Sequence, residues 1–401
     1  MKRVEGGVAA PQGYRAAGVR GGIQQTAGKK DCALVASSVA ASVAGVFTTN
    51  VVKAAPVLWD MEVCARGRAQ AVFLNSGNAN ACTGPQGVRD VKDTAIHVGR
   101  ALQTPPELVC IASTGVIGVP LPMDAVRRGV EAAVQALSET GGRDAAEAVM
   151  TTDRAPKDGA FEVALSSGPV RIGGMVKGAG MLSPQMATML CVITTDAQIK
   201  PHLLDKMLHK AVAKSFNCIS VDNDMSTNDS VLFFANGQAG IDELDDGSED
   251  FRLLLEALEA LCEDLAQLLV RGGEGATKFV TIQVVGAPSD DAALRVARSV
   301  AHSQLCKTAF AGQDPNWGRV ACAAGYAGVP FEPGALSIWL GGVQVMANGK
   351  GAVYREEDAA AVMRQPEFTV RISLGSGPGK TDFWTSDLSH EYVSINADYR
   401  S

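Results

Sequence analysis

The stretch from Lys177 to Asp196 reads KGAGMLSPQMATMLCVITTD, and its two halves differ in character. The first half is rich in glycine, which gives the backbone access to conformations that other residues avoid. From Thr188 onward the residues are apolar and β-branched, as in a buried strand. The pattern therefore places Thr188 where a loop enters a core strand, directly after the small residue Ala187.

A threonine in this position can cut its own chain if the backbone before it is strained and accessible. The Thr188 hydroxyl attacks the Ala187 carbonyl, the peptide shifts to an ester, and water releases a new N-terminal threonine. The freed α-amine, with a usual pKa of about 7.7–8.0, can then serve as the base for its own hydroxyl. From the pattern alone, a structural threonine at the start of a strand is the commoner interpretation.

The rest of the chain alternates between strand-like and helix-like segments. Short apolar runs predict strands, and apolar residues at helical spacing predict helices, with Ser248 as an N-cap and Gly272 ending the longest one. The predicted strands include 32–38, 108–113, 278–285, 335–340, 343–347, 368–374 and 392–396, and the predicted helices are 88–102, 123–137, 199–216, 251–270 and 291–305. Together, these alternating strands and helices predict one compact α/β body.

Composition excludes several classes of function. The net charge is −7, which favours neither nucleic acid nor an anionic membrane, and no apolar run has the length of a membrane helix. Nine scattered cysteines without a Cys-x-x-Cys pair and five dispersed histidines predict reduced thiols and no metal site. The N-terminus lacks signal and transit features, so we expect a cytoplasmic protein, with plastid or mitochondrial matrix as the alternative after removal of a transit peptide.

Two further segments suggest binding sites. Residues 375–381 read GSGPGKT and imitate a phosphate loop, but Leu374 occupies the place of the required glycine and a strand follows. A hairpin loop is the favoured interpretation, and a nucleotide-binding, non-enzymatic protein is the competing hypothesis. Asp222, Asp224 and Asp229 suggest either a cation site or a tightly hydrogen-bonded loop, and we favour the loop.

Ten motifs in order resemble the ornithine acetyltransferase family of arginine biosynthesis, over essentially the whole chain. Besides the segment around Thr188, they are 7–14, 44–50, 54–57, 75–84, 113–118, 151–153, 226–230, 273–278, 314–319 and 392–400. The resemblance implies a self-processing, N-terminal-nucleophile-like α/β fold of stacked sheets and helices. It implies an α chain of residues 1–187, a β chain of residues 188–401, and a heterotetramer of two of each.

The implied reaction is a ping-pong transfer of acetyl from N2-acetylornithine to glutamate, which gives ornithine and N-acetylglutamate. The substrates are small amino acids, and no metal or organic cofactor is implied; whether acetyl-CoA also donates acetyl stays open. The alternative is an amidopeptidase of related fold, which would share Thr188 but need not share the substrate-binding residues.

Residue by residue, the resemblance implies a division of roles. Thr188 is the nucleophile, Ala187 and Thr188 flank the cut, and Thr114 (hydroxyl) and Gly115 (backbone N–H) form the oxyanion hole. Substrate binding falls to Lys177 for a carboxylate and Glu274 for an ammonium group. Further substrate contacts are expected from Thr151 or Thr152, from Asn396 and from Ser401.

Overall fold

A computed structural model describes residues 1–24, 26, 28–183 and 189–398 of the chain. Sixteen strands are present in the described residues: β1 Lys2–Val4, β2 Tyr14–Val19, β3 Cys32–Phe47, β4 Arg68–Asn75, β5 Val109–Ser113, β6 Lys157–Leu165, β7 Gly168–Lys177, β8 Leu190–Thr195, β9 Ile219–Ser220, β10 Ser230–Ala235, β11 Phe279–Ala287, β12 Ser337–Leu340, β13 Val343–Ala347, β14 Lys350–Gly351, β15 Glu367–Ser373 and β16 Gly379–Ser386. The helices are α1 Ala55–Ala65, α2 Gly84–Leu102, α3 Met123–Ala136, α4 Gly142–Ala148, α5 Pro201–Lys214, α6 Glu249–Arg271, α7 Asp290–His302, α8 Gln304–Ala311, α9 Trp317–Gly325, α10 Glu356–Arg364 and α11 His390–Asp398.

Nine strands form the larger sheet, in the order β1-β6-β7-β8-β10-β3-β4-β5, with β2 also paired to β3. Most neighbours are antiparallel, but β8 runs parallel to β10 and β4 runs parallel to β5. All six residues of β8 are buried, as the apolar, β-branched run after Thr188 predicted. Strand β8 therefore lies between β7, which precedes it in the sequence, and β10, which follows it.

The smaller sheet has seven strands, in the order β14-β13-β12-β15-β11-β16-β9. Helix α6 lies between the two sheets, because it contacts β6 and β7 on one side and β16 and β9 on the other. Its N-cap is Ser248, whose hydroxyl accepts the Phe251 N–H, and Gly272 caps its C-terminus, as predicted. Stacked sheets with helices between them confirm the α/β fold class.

Two local predictions were wrong. Residues 392–396 were expected to form a strand but lie in helix α11, which is anchored to the body by polar contacts and buries none of its residues. The loop at 375–381 is not a hairpin loop, because β15 and β16 both pair with β11 and not with each other. A strand does follow this loop, as expected, whereas a phosphate loop leads into a helix.

The described ranges contain neither a membrane-spanning helix nor a metal-binding cluster. None of the described helices is both long and apolar enough to cross a bilayer. Likewise, no group of three or more His, Cys, Asp or Glu side chains in these ranges is arranged to hold a metal ion. Asp222 accepts the backbone N–H groups of Met181 and Leu182 at 2.6 and 2.8 Å, which fits the interpretation as a tightly hydrogen-bonded loop.

Candidate active site

One pocket gathers residues from seven separate parts of the chain around about 630 Å³ of empty space, its open mouth included. Its lining contains seven of the residues expected at the site: Thr114, Gly115, Thr151, Thr152, Lys177, Glu274 and Asn396. Ala187, Thr188 and Ser401 lie outside the described residues. The segment that leads toward Thr188 does reach the pocket, because Ala179, Gly180 and Met181, which precede Thr188 by nine to seven positions, line it.

The loop after β5 supplies hydrogen-bond donors to the pocket. Thr114 is fixed by its own N–H, which donates to the Asn75 carbonyl at 3.0 Å. Gly115 has φ +130°, and a Cβ there would overlap the backbone of Gly77 and Asn78, so only glycine fits. No acceptor in the described ranges takes the Gly115 N–H or the Thr114 hydroxyl hydrogen, so both are available to a developing oxyanion.

Lys177, the last residue of β7, is buried, with 3% of its surface exposed. Its Nζ donates to the Thr114 hydroxyl oxygen at 3.1 Å, which links the cation to the donor loop. Burial lowers the pKa of Lys177, and the nearby Asp153 carboxylate works in the opposite direction. A partly desolvated ammonium group of this kind binds a carboxylate strongly, because little water competes for it.

Asp153 organises this wall of the pocket. It forms a buried ion pair with Lys157, and it accepts the Gly178 N–H at 2.8 Å and the Thr151 N–H at 3.1 Å. Burial works to raise the pKa of Asp153, but the charges of Lys177 and Lys157 outweigh it and the pKa is lowered. The backbone of both pocket-lining segments is thus held by one ionised carboxylate.

A second wall comes from Glu274, in the loop between α6 and β11, and from Asn396 on α11. The Asn396 amide donates to Glu274 Oε2 at 2.9 Å, and the Glu274 N–H donates to the Ala179 carbonyl at 2.8 Å. Gly180 has no side chain to separate its backbone from the Glu274 carboxylate. Glu274 is half-buried and Asn396 is exposed, so this wall is open to solvent.

Sequence reasoning gave no role to the residues that fix these walls. Asn228 lines the pocket, and its amide donates to the carbonyls of Ala79 and Ser113 at 2.6 and 2.8 Å, which holds the donor loop. Asn228 belongs to the motif 226–230 and Asp153 to the motif 151–153, so the signal was present. The partners of Asn228 were not, because they lie 149 and 115 positions away in the sequence and such pairing is invisible in the pattern. Lys380 and Thr381, of the phosphate-loop imitation, lie outside this pocket.

Comparison of the chain with sequence models of protein families shows the family to which it belongs. A sequence model described as "ArgJ family" matches residues 15–401. The chain belongs to the ArgJ family. It is an acyltransferase of arginine biosynthesis, and the family and enzyme class predicted from the motifs are confirmed.

Individual ArgJ relatives agree along their whole lengths. The arginine biosynthesis bifunctional protein ArgJ of Symbiobacterium thermophilum is 48% identical over 402 residues and covers 100% of both chains. The protein of the same name from Thermosynechococcus vestitus is 45% identical over 414 residues, with 99% of each chain covered. A crystal structure of the ArgJ protein from Bacillus halodurans is 37% identical with a TM-score of 0.50, and it covers 51% of this chain and 97% of its own.

Proposed function

We propose that this pocket moves an acetyl group from N2-acetylornithine to glutamate through an ester on Thr188. The observation that carries the proposal is the set of groups in one pocket. Hydrogen-bond donors at Thr114 and Gly115, a buried cation at Lys177 and a carboxylate at Glu274 line one pocket together with Ala179–Met181. Leu190, two residues after Thr188, pairs with Lys177 in the β7–β8 ladder.

The transfer has two balanced halves. In the first, Thr188 Oγ attacks the acetyl carbonyl carbon, its proton passes to the threonine's own α-amine, and the oxyanion accepts hydrogen bonds from Thr114 and Gly115. The C–N bond to ornithine breaks, and the ornithine nitrogen takes the proton. In the second half, the glutamate amine attacks the acetyl ester carbon and the bond from that carbon to Thr188 Oγ breaks; the proton that the glutamate nitrogen loses passes through the Thr188 α-amine to Oγ, which leaves as a hydroxyl.

Opposite charges on the two walls orient the substrate. Lys177 binds the α-carboxylate, and Glu274, steadied by Asn396, binds the side-chain ammonium group of acetylornithine. Thr151 or Thr152 adds a hydroxyl from the Asp153 side, and Ser401 adds one from the C-terminus. The two charged walls suit an amino acid with an ionised group at each end.

A cut between Ala187 and Thr188 would leave two chains that share one fold. Strands β8 and β10 follow the cut in sequence, yet they lie between β7 and β3, which precede it. The chains 1–187 and 188–401 would therefore stay associated through backbone hydrogen bonds on both sides. The Bacillus halodurans crystal chain, which matches about half of this one, has the length expected for one product. We propose further that two of each chain form a heterotetramer, which native mass measurement tests.

The proposed chemistry needs no metal or organic cofactor, so activity should survive dialysis against a chelator. We propose that the reaction takes place in the cytoplasm. The name "bifunctional" of the relatives supports a second donor, acetyl-CoA, for the same ester. Formation of N-acetylglutamate from acetyl-CoA and glutamate, without acetylornithine, tests that second activity.

A single assay tests the main proposal. Purified protein is given N2-acetylornithine with and without glutamate, and ornithine, N-acetylglutamate and acetate are measured. With glutamate, N-acetylglutamate should appear in step with ornithine; without it, ornithine should appear in one burst that matches the amount of enzyme. Continuous release of acetate without transfer would instead show a hydrolase and overturn the proposal.

A further inference from the structure

Four hydrogen bonds converge on the carboxylate of Asp222, which does not line the pocket and lies in the loop between β9 and β10. Its Oδ2 accepts the Met181 N–H at 2.6 Å and the Tyr392 hydroxyl at 3.2 Å. Its Oδ1 accepts the N–H groups of Leu182 at 2.8 Å and Asp224 at 3.2 Å. A carboxylate offers about four lone-pair sites, so these donors use its capacity. Asp222 therefore joins the segment after β7 to helix α11.

These contacts belong to a closed ring of hydrogen bonds. The Ala179 carbonyl, in the segment that Asp222 holds, accepts the Glu274 N–H at 2.8 Å. Glu274 Oε2 accepts the Asn396 amide at 2.9 Å, and the same amide donates to the Tyr392 carbonyl one helical turn away at 3.0 Å. The Tyr392 hydroxyl then leads back to Asp222. Ala179, Glu274 and Asn396 line the pocket, so one side of this hydrogen-bonded ring is a pocket wall.

Backbone geometry shows how closely the ring is packed. A Cβ on Gly180 would overlap the Glu274 carboxylate, and a Cβ on Gly275 would overlap the backbone of Tyr392. Met181 has φ +56°, in the left-handed region that a residue with a side chain adopts only at a cost in free energy. The carboxylate that accepts its N–H holds it in this conformation. The wall therefore has little room to rearrange while the ring is closed.

Helix α11 depends on polar contacts for its position, because none of its residues is buried. Ser389, just before the helix, donates to the Gly275 carbonyl at 2.6 Å, and Tyr392 is the half-buried residue that reaches Asp222. Asn396 is exposed and lies one turn further along. The direction in which α11 carries Asn396 toward the pocket is thus set by these contacts at its start.

We propose that Asp222 and Tyr392 are positioning residues for substrate binding, which hold the wall around Glu274 in the shape that binds an ammonium group. The inference rests on the proposed function, in which Glu274 binds the side-chain ammonium group of acetylornithine. Asp222 and Tyr392 do not line the pocket and act through the residues that do. Glutamate has no side-chain ammonium group, so its binding depends less on the ring.

The charge on Asp222 gives the ring a dependence on pH. Burial raises the pKa of Asp222 to about 6; the backbone N–H groups that it accepts act to lower it, and the Asp224 carboxylate acts to raise it. The titratable groups that face it from other elements are Tyr392 on α11 and Lys307 on α8. As pH falls through about 6, the carboxylate gains a proton and accepts hydrogen bonds more weakly, so the ring loosens.

Tyr392→Phe is the mildest test, because it removes one hydroxyl and keeps the aromatic side chain. We expect the KM for acetylornithine to rise about 2- to 5-fold, with kcat and the KM for glutamate changed by less than about 2-fold. Tyr326→Phe, which removes the same atom from a tyrosine that is 62% exposed, should leave all three constants unchanged. An unchanged KM for acetylornithine in Tyr392→Phe, or an equal rise for both substrates, would overturn the proposal.

Asp222→Asn tests the charge. An amide has one acceptor oxygen where a carboxylate has two, so the KM for acetylornithine should rise about 10-fold at neutral pH. The further rise that the wild type shows as pH falls through about 6 should be absent from this variant. The same acid dependence in Asp222→Asn and the wild type would contradict the role of the carboxylate.

Asp224→Asn is the matched control for the charge, because it removes an exposed carboxylate from the same loop and keeps the backbone N–H that Asp222 accepts. It should preserve the KM of the wild type at neutral pH. Its acid rise in KM should move to lower pH, because the Asp224 carboxylate helps to raise the pKa of Asp222. A loss at neutral pH as large as that of Asp222→Asn would count against a specific role of Asp222.

A double-mutant cycle tests whether Tyr392 acts through α11. In the Asn396→Ala background, Tyr392→Phe should raise the KM for acetylornithine no further, because the helix no longer brings an amide to Glu274. Additive effects of the two substitutions would show that Tyr392 does not position Asn396.

Hydrogen exchange measured without substrate separates this inference from the proposed function. Amides of residues 178–182 and 389–398 should exchange about 3-fold or more faster in Tyr392→Phe than in the wild type, because the ring has lost a link. Tyr326→Phe should keep the wild-type rates. A wild type that transfers no acetyl would reject the proposed function whatever these rates are. Equal exchange in Tyr392→Phe and an active wild type would reject the positioning role alone.

Discussion

The two walls of the pocket are built in different ways. Lys177 and Thr114 are buried at strand ends of the nine-stranded sheet, where Lys177 Nζ donates to the Thr114 hydroxyl and the Thr114 N–H donates to the Asn75 carbonyl. Glu274 and Asn396 lie on a loop and an exposed helix, joined to each other by one hydrogen bond. The strand wall, formed by Lys177 and Thr114, is therefore shielded from solvent, whereas the loop wall, formed by Glu274 and Asn396, is exposed to it.

This difference predicts a division of labour. A buried wall with fixed donors stabilises charge that develops during the reaction, because those donors need not reorganise. A solvent-exposed wall binds substrate groups that stay charged throughout the reaction, and such binding stabilises the ground state and the transition state alike. Substitutions in the strand wall should therefore lower kcat or kcat/KM strongly, and those in the loop wall should mainly raise KM.

The largest effect is expected for Gly115→Ala. The new Cβ would overlap the Gly77 backbone and displace an oxyanion donor, so kcat should fall on the order of 10²- to 10³-fold. Gly118→Ala is the control, because Gly118 lies in the same loop with φ +81° but a Cβ there meets nothing within 4 Å. Transfer rates measured at saturating substrate compare the two, and similar rates for both would remove Gly115 from the oxyanion hole.

Lys177→Met should come next, with kcat/KM lowered about 10- to 100-fold, as expected for a lost hydrogen bond to a charged group. Burial lowers the pKa of Lys177 from 10.5, so the wild type should lose activity as pH rises through a value below 10.5, when the charge disappears. The variant should lack this alkaline limb. Lys278→Met, a change at another buried lysine whose Nζ binds the Arg364 and Gln365 carbonyls, should keep it.

Glu274→Gln tests the loop wall. Replacing the carboxylate by an amide of the same size should raise the KM for acetylornithine by about 10-fold and change kcat by less than about 3-fold. The KM for glutamate, which has no side-chain ammonium group, should rise less. Steady-state kinetics with each substrate varied in turn measure both constants. A fall in kcat with an unchanged KM would contradict this role and show that Glu274 acts in the chemical step.

The smallest effect is expected for Asn396→Ala. Loss of one exposed hydrogen bond to Glu274 should raise the KM for acetylornithine about 2- to 5-fold, which corresponds to roughly 0.5–1 kcal/mol. Ser394→Ala, on the same exposed helix, should leave KM unchanged. If Asn396 acts through Glu274, its substitution should have no further effect in the Glu274→Gln background, and additive effects in this double-mutant cycle would separate the two residues.

Prediction from the sequence succeeded where the signal is local. Helix α6 was predicted with both caps, because its periodic leucines and its flanking Ser248 and Gly272 lie within one segment. Helix α11 was predicted as a strand because residues 392–396 include β-branched residues. In the structure this segment makes tertiary hydrogen bonds that override its strand propensity. The Ser389 hydroxyl donates to the Gly275 carbonyl, and the Tyr392 hydroxyl donates to Asp222.

The site shows the same limit. Family resemblance indicated Thr114, Lys177 and Glu274, which are far apart in sequence, and the structure brings them into one pocket. The contacts that hold them could not be predicted, because Asn228 reaches Ser113 and Asp229 reaches Met189 only after the sheet has formed. Residue types at a site can thus be found from motifs, whereas the network that fixes them depends on the tertiary fold.

The central claim is that a freed threonine, at once nucleophile and base, carries the acetyl group between the two walls. Intact-mass analysis of purified protein, wild type against Thr188→Ala, tests it most directly. The wild type should give two fragments that meet between Ala187 and Thr188, and the larger fragment, 188–401, should gain one acetyl group when acetylornithine is added without glutamate. Thr188→Ala should remain one inactive chain, whereas an uncut wild type that transfers acetyl at full rate would contradict the account.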